Sequence, residues 1–98
     1  MKKFLVIGNP IEHSLSPELH NYWINQNNIK ASYEKKKLNE DDIKNIVQEV
    51  VQGKIDGINV TVPFKKSVIP FLNELTYPAK KTQSVNTIYK KDNKIIGD

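Results

Sequence analysis

Three short polar clusters in this chain carry side chains that suit an anionic, hydroxylated small molecule. They cover residues 13–16, 59–65 and 84–87. The first holds two serines beside an expected helix start, where backbone amides favour a bound carboxylate. The third holds Asn86, whose amide can donate and accept hydrogen bonds, as a ligand with several hydroxyls requires. The pattern therefore indicates a small-molecule site.

Lys65, in the second cluster, is the candidate for proton transfer. Apolar and polar side chains alternate in residues 57–62, which predicts a β-strand that Pro63 should end. Residues 64–75 carry apolar side chains at helical spacing, so we expect a helix there, interrupted at Pro70. Ligands of open α/β sheets bind where a strand ends and a helix begins. A lysine in the first turn of that helix could pass a proton to or from a reacting hydroxyl.

The remaining apolar patterns predict the elements that position these clusters. We expect further strands over residues 3–7, 31–37, 84–89 and 94–96, and helices over 16–26, 40–51 and 79–81. Asn39 and Gly53 should cap the second of those helices, which buries an apolar stripe over residues 43–51. Residues 92–93 should form a tight turn between the last two strands. This order predicts a three-layer α/β/α domain with a mostly parallel sheet and an antiparallel C-terminal hairpin.

Composition narrows the class of protein. Ninety-eight residues make one domain at most. The absence of cysteine excludes disulfides and thiolate catalysis, and two histidines argue against a zinc site, so no metal is expected. All 15 basic residues are lysine, which does not favour nucleic-acid binding, because that would call for arginine and aromatic side chains on one face. No apolar run approaches a membrane span or a signal peptide, and we expect a cytoplasmic protein.

Together the clusters resemble the shikimate dehydrogenase family in its amino-terminal, substrate-binding half. Residues 8–17 (GNPIEHSLSP), with His20 shortly after, are similar to the opening motif of that family. Residues 57–65 (GINVTVPFK) resemble its second motif, and residues 85–87 (VNT) its third. The motifs stand in the right order and at compatible spacing. The resemblance covers the whole chain and implies that residues 1–98 are one substrate-binding domain.

The resemblance implies reversible, NADPH-dependent reduction of 3-dehydroshikimate to shikimate in aromatic amino-acid biosynthesis. By the same resemblance, Ser14 and Ser16 would bind the substrate carboxylate, and Thr61 would lie close to the ring. Asn86 would hydrogen-bond the ring hydroxyls, and Lys65 would act as the catalytic acid and base. These roles are expectations that come with the family.

The sequence departs from the family in three places. Gln83 and Ser84 stand where many members have small residues, which leaves the start of that strand open. Tyr77 stands where many members carry an acid, and we assign it no role. The chain ends at Asp98, before the Asn-Thr-Asp of the family motif, so the acid that would pair with Lys65 is expected beyond it.

The resemblance implies that NADP is bound by a C-terminal Rossmann domain, and no G-x-G-x-x-G occurs in this chain. We therefore expect a truncated, inactive fragment without a cofactor of its own. Within the site, Asn59 is expected to organise its surroundings rather than to contact substrate. A homodimeric parent and self-association of the fragment stay open.

Three alternatives remain open at the level of the sequence. The nearest is a quinate/shikimate dehydrogenase that uses NAD. A non-catalytic module that binds shikimate-like acids would bind ligand without turnover. A nucleic-acid-binding domain would show a steep dependence of affinity on salt, and the lack of arginine makes it the weakest of the three.

Overall fold

Six strands form one sheet in residues 2–10 and 16–98, which are the residues that the computed structural model describes. In chain order the elements are β1 (Lys2–Gly8), α1 (Ser16–Gln26), β2 (Ala31–Lys37), α2 (Ile43–Val51), β3 (Gly57–Val60), β4 (Glu74–Leu75), α3 (Tyr77–Thr82), β5 (Thr87–Lys91) and β6 (Lys94–Gly97). Two short 3-10 helices, Glu40–Asp42 and Ile69–Phe71, precede α2 and β4.

The strand order is β2-β1-β3-β5-β6-β4. β1 runs parallel to both β2 and β3, and β4 runs parallel to β6. β5 is antiparallel to β3 on one side and to β6 on the other. The sheet is therefore mixed, with an antiparallel β5–β6 hairpin, which confirms the expected fold class.

Successive residues of β1 face opposite layers of the domain. Leu5 and Ile7 belong to the main core, which includes the buried side chains of α2. Val6 belongs to a second cluster on the other face, where it lies with Tyr33 of β2 and the partly buried Ile24 of α1. Helices thus cover both faces, in line with the period-2 alternation of a central strand.

The helix α2 forms where the sequence predicts a helix, but its first turn, Glu40–Asp42, is a 3-10 helix. The backbone amide of Asn39 donates to the carboxylate of Asp42 at 2.9 Å, which closes the start of the helical segment. Gly53, just beyond the helix, has φ +79°, the left-handed conformation that a glycine adopts most readily. The buried stripe comprises Ile43, Ile46, Val47 and Val50. Val51, expected in that stripe, is 40% exposed and lies outside it.

The segment after β3 differs from the expectation. β3 ends at Val60, and the side chain of Val62 is 64% exposed rather than part of a strand. Residues 62–68 form successive turns, so the helix expected over residues 64–75 is wrong. Phe64 and Val68 are buried as the pattern requires, and the amide of Val68 donates to the carbonyl of Phe64 at 3.2 Å.

Pro70 is incompatible with a continuous helix over residues 64–75. It has no amide hydrogen to donate, and it disfavours the helical conformation of the residue before it. The chain instead makes the 3-10 turn Ile69–Phe71 and then enters β4. Leu75, expected on the helix, therefore pairs with Gly97 at the edge of the sheet.

The C-terminal hairpin forms with one change of boundary. β5 begins at Thr87, so Ser84 lies in the connection from α3 rather than in a strand. Asp92 and Asn93 have φ of 51° and 64°, the positive pair that a tight hairpin turn of type I′ requires. The expected turn is confirmed. No helix in the described part of the chain is both long and apolar enough to cross a membrane.

Candidate active site

The carboxyl ends of β1 and β3 lie next to the start of β5. We call this end of the strands the carboxyl edge. The amide of Thr61 donates to the carbonyl of Ile7 at 3.0 Å, which joins the end of β3 to the end of β1. The amide of Val60 donates to the carbonyl of Asn86 at 2.7 Å, which joins β3 to the segment before β5. These backbone bonds bring two of the three polar clusters together.

Lys65 and Asn86 form the centre of this edge. The ammonium group of Lys65 donates to Oδ1 of Asn86 at 2.7 Å. A backbone bond of 2.8 Å from the amide of Val85 to the carbonyl of Lys65 holds the two segments in the same register. Lys65 is half-buried and Asn86 is exposed, so both groups can be reached by a ligand. An ammonium group and an amide group that a ligand can contact thus lie within hydrogen-bonding distance of each other.

The first turn of a helix is not what holds Lys65. The residues around it form turns, so Lys65 does not lie in the first turn of a helix. Its position comes instead from the backbone bond to Val85 and the side-chain bond to Asn86. The expected convergence of Lys65 and Asn86 is present, but its structural cause differs from the one that the sequence suggested.

Thr61 lies beside this pair with its hydroxyl already engaged. The hydroxyl donates to the carbonyl of Ile7 at 2.8 Å. The hydroxyl proton therefore takes part in a hydrogen bond within the protein, while the oxygen keeps lone pairs that can accept a hydrogen bond from a ligand hydroxyl. Thr61 suits a ring hydroxyl better than a carboxylate, which offers no hydrogen to donate.

Asn59 is held from both sides. The hydroxyl of Tyr33 donates to Oδ1 of Asn59 at 2.6 Å, and Nδ2 of Asn59 donates to the hydroxyl of Thr87 at 3.3 Å. Sequence reasoning placed Thr87 in a polar cluster without assigning it a role, and it did not single out Tyr33. Tyr33 gives no local signal, because it stands in a lysine-rich strand distant in sequence from the clusters.

The first polar cluster is described in part. His13 and Ser14 lie outside the described residues. Ser16 is the first residue of α1, and its side chain is likewise outside the description. The backbone does place the start of α1 after β1, so the expectation of a carboxylate subsite there stays a prediction.

A cavity of about 350 Å³ borders Asn86 on the side of α3. Asp98 lies on its wall, and its carboxylate accepts a hydrogen bond of 2.6 Å from the hydroxyl of Thr76. The full lining is Pro78, Ala79, Thr82, Ser84, Asn86, Thr87 and Asp98. Among the described residues, no group of three or more histidine, cysteine or acidic side chains could hold a metal ion.

A family model described as the shikimate dehydrogenase substrate binding domain matches residues 6–88, which include Thr61, Lys65 and Asn86. The chain belongs to this family. The shikimate dehydrogenase (NADP(+)) of Pelagibacter ubique (strain HTCC1062) is 61% identical over 97 residues, which are 99% of this chain and 37% of that protein. The enzyme of the same name from Vesicomyosocius okutanii is 46% identical over 98 residues, with 100% of this chain and 37% of that protein covered.

Solved structures of shikimate dehydrogenases have the same fold. The enzyme of Aquifex aeolicus superposes with a TM-score of 0.90 at 36% identity, over 99% of this chain and 36% of that one. The Thermus thermophilus enzyme, solved in complex with shikimate, superposes with a TM-score of 0.91 at 28% identity, over 99% and 37% of the two chains. The chain thus spans about 37% of the length of the curated relatives it matches.

Proposed function

We propose that this chain is the substrate-binding domain of an NADP-dependent shikimate dehydrogenase. Such an enzyme reduces 3-dehydroshikimate to shikimate reversibly. The observation that carries the proposal is the contact of 2.7 Å between Lys65 and Asn86 at the carboxyl edge of β3. The names of the curated relatives, shikimate dehydrogenase (NADP(+)), support the substrate and the cofactor.

The geometry suits the proton half of a ketone reduction. When a carbonyl group becomes an alcohol, its carbon gains a hydride and its oxygen gains a proton. The ammonium group of Lys65 carries the proton, and Asn86 beside it can hydrogen-bond a neighbouring ring hydroxyl. In the oxidation of shikimate the same amine takes the proton back from the reacting hydroxyl.

The other assigned residues bind the ring. The oxygen of Thr61 accepts from a ring hydroxyl, because its own proton is bound to the carbonyl of Ile7. Ser14 and Ser16 bind the carboxylate near the start of α1, where backbone amides favour negative charge. Asn59 keeps this edge of the sheet in order through its bonds to Tyr33 and Thr87.

The described residues do not fit the cofactor. A dinucleotide pyrophosphate needs a glycine-rich turn between the first strand and the first helix. Here β1 ends at Gly8, and Pro10, which has no amide to offer, follows two residues later. We propose that a Rossmann domain elsewhere in the full-length protein binds NADP, which supplies or takes up the hydride. This chain contributes the substrate-binding residues and the lysine that transfers the proton.

The proposal also includes a cytoplasmic location and a small-molecule partner rather than a nucleic acid. The absence of cysteine agrees with a reducing compartment. The absence of arginine among 15 basic residues argues against nucleic-acid binding.

The test is NADP⁺-linked oxidation of shikimate by the full-length protein and two lysine variants. Lys65→Met should lower kcat by about 10²- to 10⁴-fold, the usual effect of removing a general acid or base. Lys66→Met, which removes the neighbouring exposed lysine, is the matched control and should leave kcat unchanged. Near-parental kcat in Lys65→Met would show that this lysine does not transfer the proton.

The same assay separates the alternatives. Faster turnover of quinate, or a preference for NAD⁺, would identify a quinate/shikimate dehydrogenase instead. Binding of shikimate without turnover in the full-length protein would identify a non-catalytic binding module.

A further inference from the structure

The side chain of Tyr33 reaches across a neighbouring strand. Tyr33 belongs to β2, and its register partner on β1 is Phe4. Because β1 lies between β2 and β3, the ring must pass over β1 to contact Asn59 of β3. It is 5% exposed, and the imidazole of His20 stacks on it with ring centroids 4.3 Å apart. The stack with His20 and the cluster with Val6 hold the ring in place and therefore set the direction of its hydroxyl.

The hydroxyl of Tyr33 makes a short bond to the carboxamide of Asn59. The distance from the phenolic oxygen to Oδ1 is 2.6 Å, which is typical of a strong O–H···O bond. With Oδ1 turned toward Tyr33, Nδ2 is turned toward β5, where it donates to the hydroxyl of Thr87. Tyr33 thus holds the Oδ1 end of the amide, and Thr87 holds the Nδ2 end.

This chain of hydrogen bonds ends next to Lys65 and Asn86. Thr87 is the register partner of Asn59 and directly follows Asn86 in sequence. The carbonyl of Asn86 accepts from the amide of Val60, and its side chain receives the ammonium group of Lys65. A change in the orientation of the Asn59 amide would therefore be transmitted to Asn86 through the adjacent residue, Thr87.

We propose that Tyr33 is a positioning residue for the substrate site. Its hydroxyl orients the carboxamide of Asn59 and, through Thr87, holds Asn86 opposite Lys65. This inference rests on the proposed function, since the consequence of the positioning is measured as substrate affinity. The tyrosine itself acts through Asn59 rather than by touching the ring of the substrate.

The test compares Tyr33→Phe with the parent in the full-length protein. The change removes one oxygen and keeps the packed ring, so the KM for shikimate should rise about 3- to 10-fold, the range for one lost neutral hydrogen bond. The KM for NADP⁺ should stay at the parental value. Tyr89→Phe, which removes the same oxygen from the residue opposite Gly57 at the far end of β3, is the matched control and should change neither constant.

A double-mutant cycle separates positioning from a general loss of structure. In the Asn59→Ala background, Tyr33→Phe should have no further effect on the KM for shikimate, because the group through which it acts is gone. An equal rise in that background, or no rise in the parent, would overturn the inference. Thr87→Val removes the hydroxyl at the other end of this chain of hydrogen bonds and should also raise the KM for shikimate. This variant tests the inference even if Tyr33→Phe does not fold.

One readout needs no substrate. The side-chain amide protons of Asn59 should exchange with solvent severalfold faster in Tyr33→Phe than in the parent, as measured by NMR. Parental exchange rates would overturn the inference. A full-length protein that does not oxidise shikimate would refute the proposed function, while this exchange measurement would still decide whether Tyr33 orients Asn59.

Discussion

Replacement of Gly97 by alanine should destabilise the domain by crowding three side chains. Gly97 is buried at the end of β6, between Leu75 of β4 and Ile88 of β5. An added Cβ would lie 2.6 Å from Cδ1 of Leu72 and 3.0 Å from both Cδ2 of Leu75 and Cγ2 of Val85. These distances are shorter than ordinary van der Waals contacts, so the neighbours must move.

The magnitude follows from which neighbours can yield. Leu72 is half-buried, and its methyl group is the far end of a flexible side chain, whereas Val85 is fully buried and has a stiff side chain. Overpacking of a core costs about 1–3 kcal/mol, and we expect about 2 kcal/mol here. In a domain of this size that loss lowers Tm by about 10 °C.

The assay is thermal unfolding of the 98-residue chain followed by circular dichroism. Leu72→Ala removes the closest contact, so in that background Gly97→Ala should cost about 1 kcal/mol less than in the parent. Gly53→Ala is the contrast. No atom lies within 4 Å of its added Cβ, and its cost of about 1 kcal/mol comes from the positive φ and should not depend on Leu72.

Two results would refute this reasoning. One is a Gly97→Ala variant with parental Tm. The other is a cost that is the same with and without Leu72, which would mean that crowding is not the cause. Because Val85 directly precedes Asn86, Gly97→Ala should also weaken the binding of shikimate in the full-length protein.

Substitutions at three further positions have defined outcomes. Thr61→Val should raise the KM for shikimate several-fold and cost at most about 1 kcal/mol of stability, because the carbonyl of Ile7 keeps its bond to the amide of residue 61; Thr61→Ser should restore the KM. The hydrogen bond and then the charge of Glu74 raise the pKa of Lys94 above the ordinary value of a lysine, so this stabilisation is complete below that ordinary value and is lost as pH rises through the folded value. An NMR titration of Glu74→Gln should show that the pKa of Lys94 falls back toward the ordinary value of a lysine. Asn93→Gly should raise Tm by a few degrees, because Asn93 has φ 64° in the hairpin turn.

Much of the sheet could be predicted because its signals are local. The buried run of β1 and the capped stripe of α2 follow from apolar spacing alone. The turn at Asp92 and Asn93 follows from residues that tolerate positive φ. Each of these elements can be recognised without knowing its neighbours.

The segment after β3 could not be predicted in the same way. Its apolar residues have helical spacing, yet Phe64 and Val68 are buried by turns, and Pro70 prevents a helix from continuing. β4 has two residues and exists through its pairing with β6, so it has no periodic pattern of its own. Tertiary contacts, rather than local preference, decide this segment.

The candidate site likewise contains some features that local sequence patterns predict and others that depend on tertiary structure. The proximity of Lys65 and Asn86 could be predicted, because both belong to polar clusters expected near strand ends, where ligands of such sheets bind. Their local structure could not, because Lys65 was expected in a helix and Asn86 inside a strand. The link from Tyr33 to Asn59 could not, because it depends on β1 lying between β2 and β3. Strand order is not contained in the spacing of residues along one strand.

A crystal structure of the full-length protein with shikimate bound would show directly whether Lys65 and Asn86 bind the substrate. The ring should lie at the carboxyl edge of β3, with one hydroxyl within about 3.2 Å of the Lys65 ammonium group and another within that distance of the Asn86 amide. Shikimate bound elsewhere, with the contact between Lys65 and Asn86 left as it is, would contradict this role of the two residues.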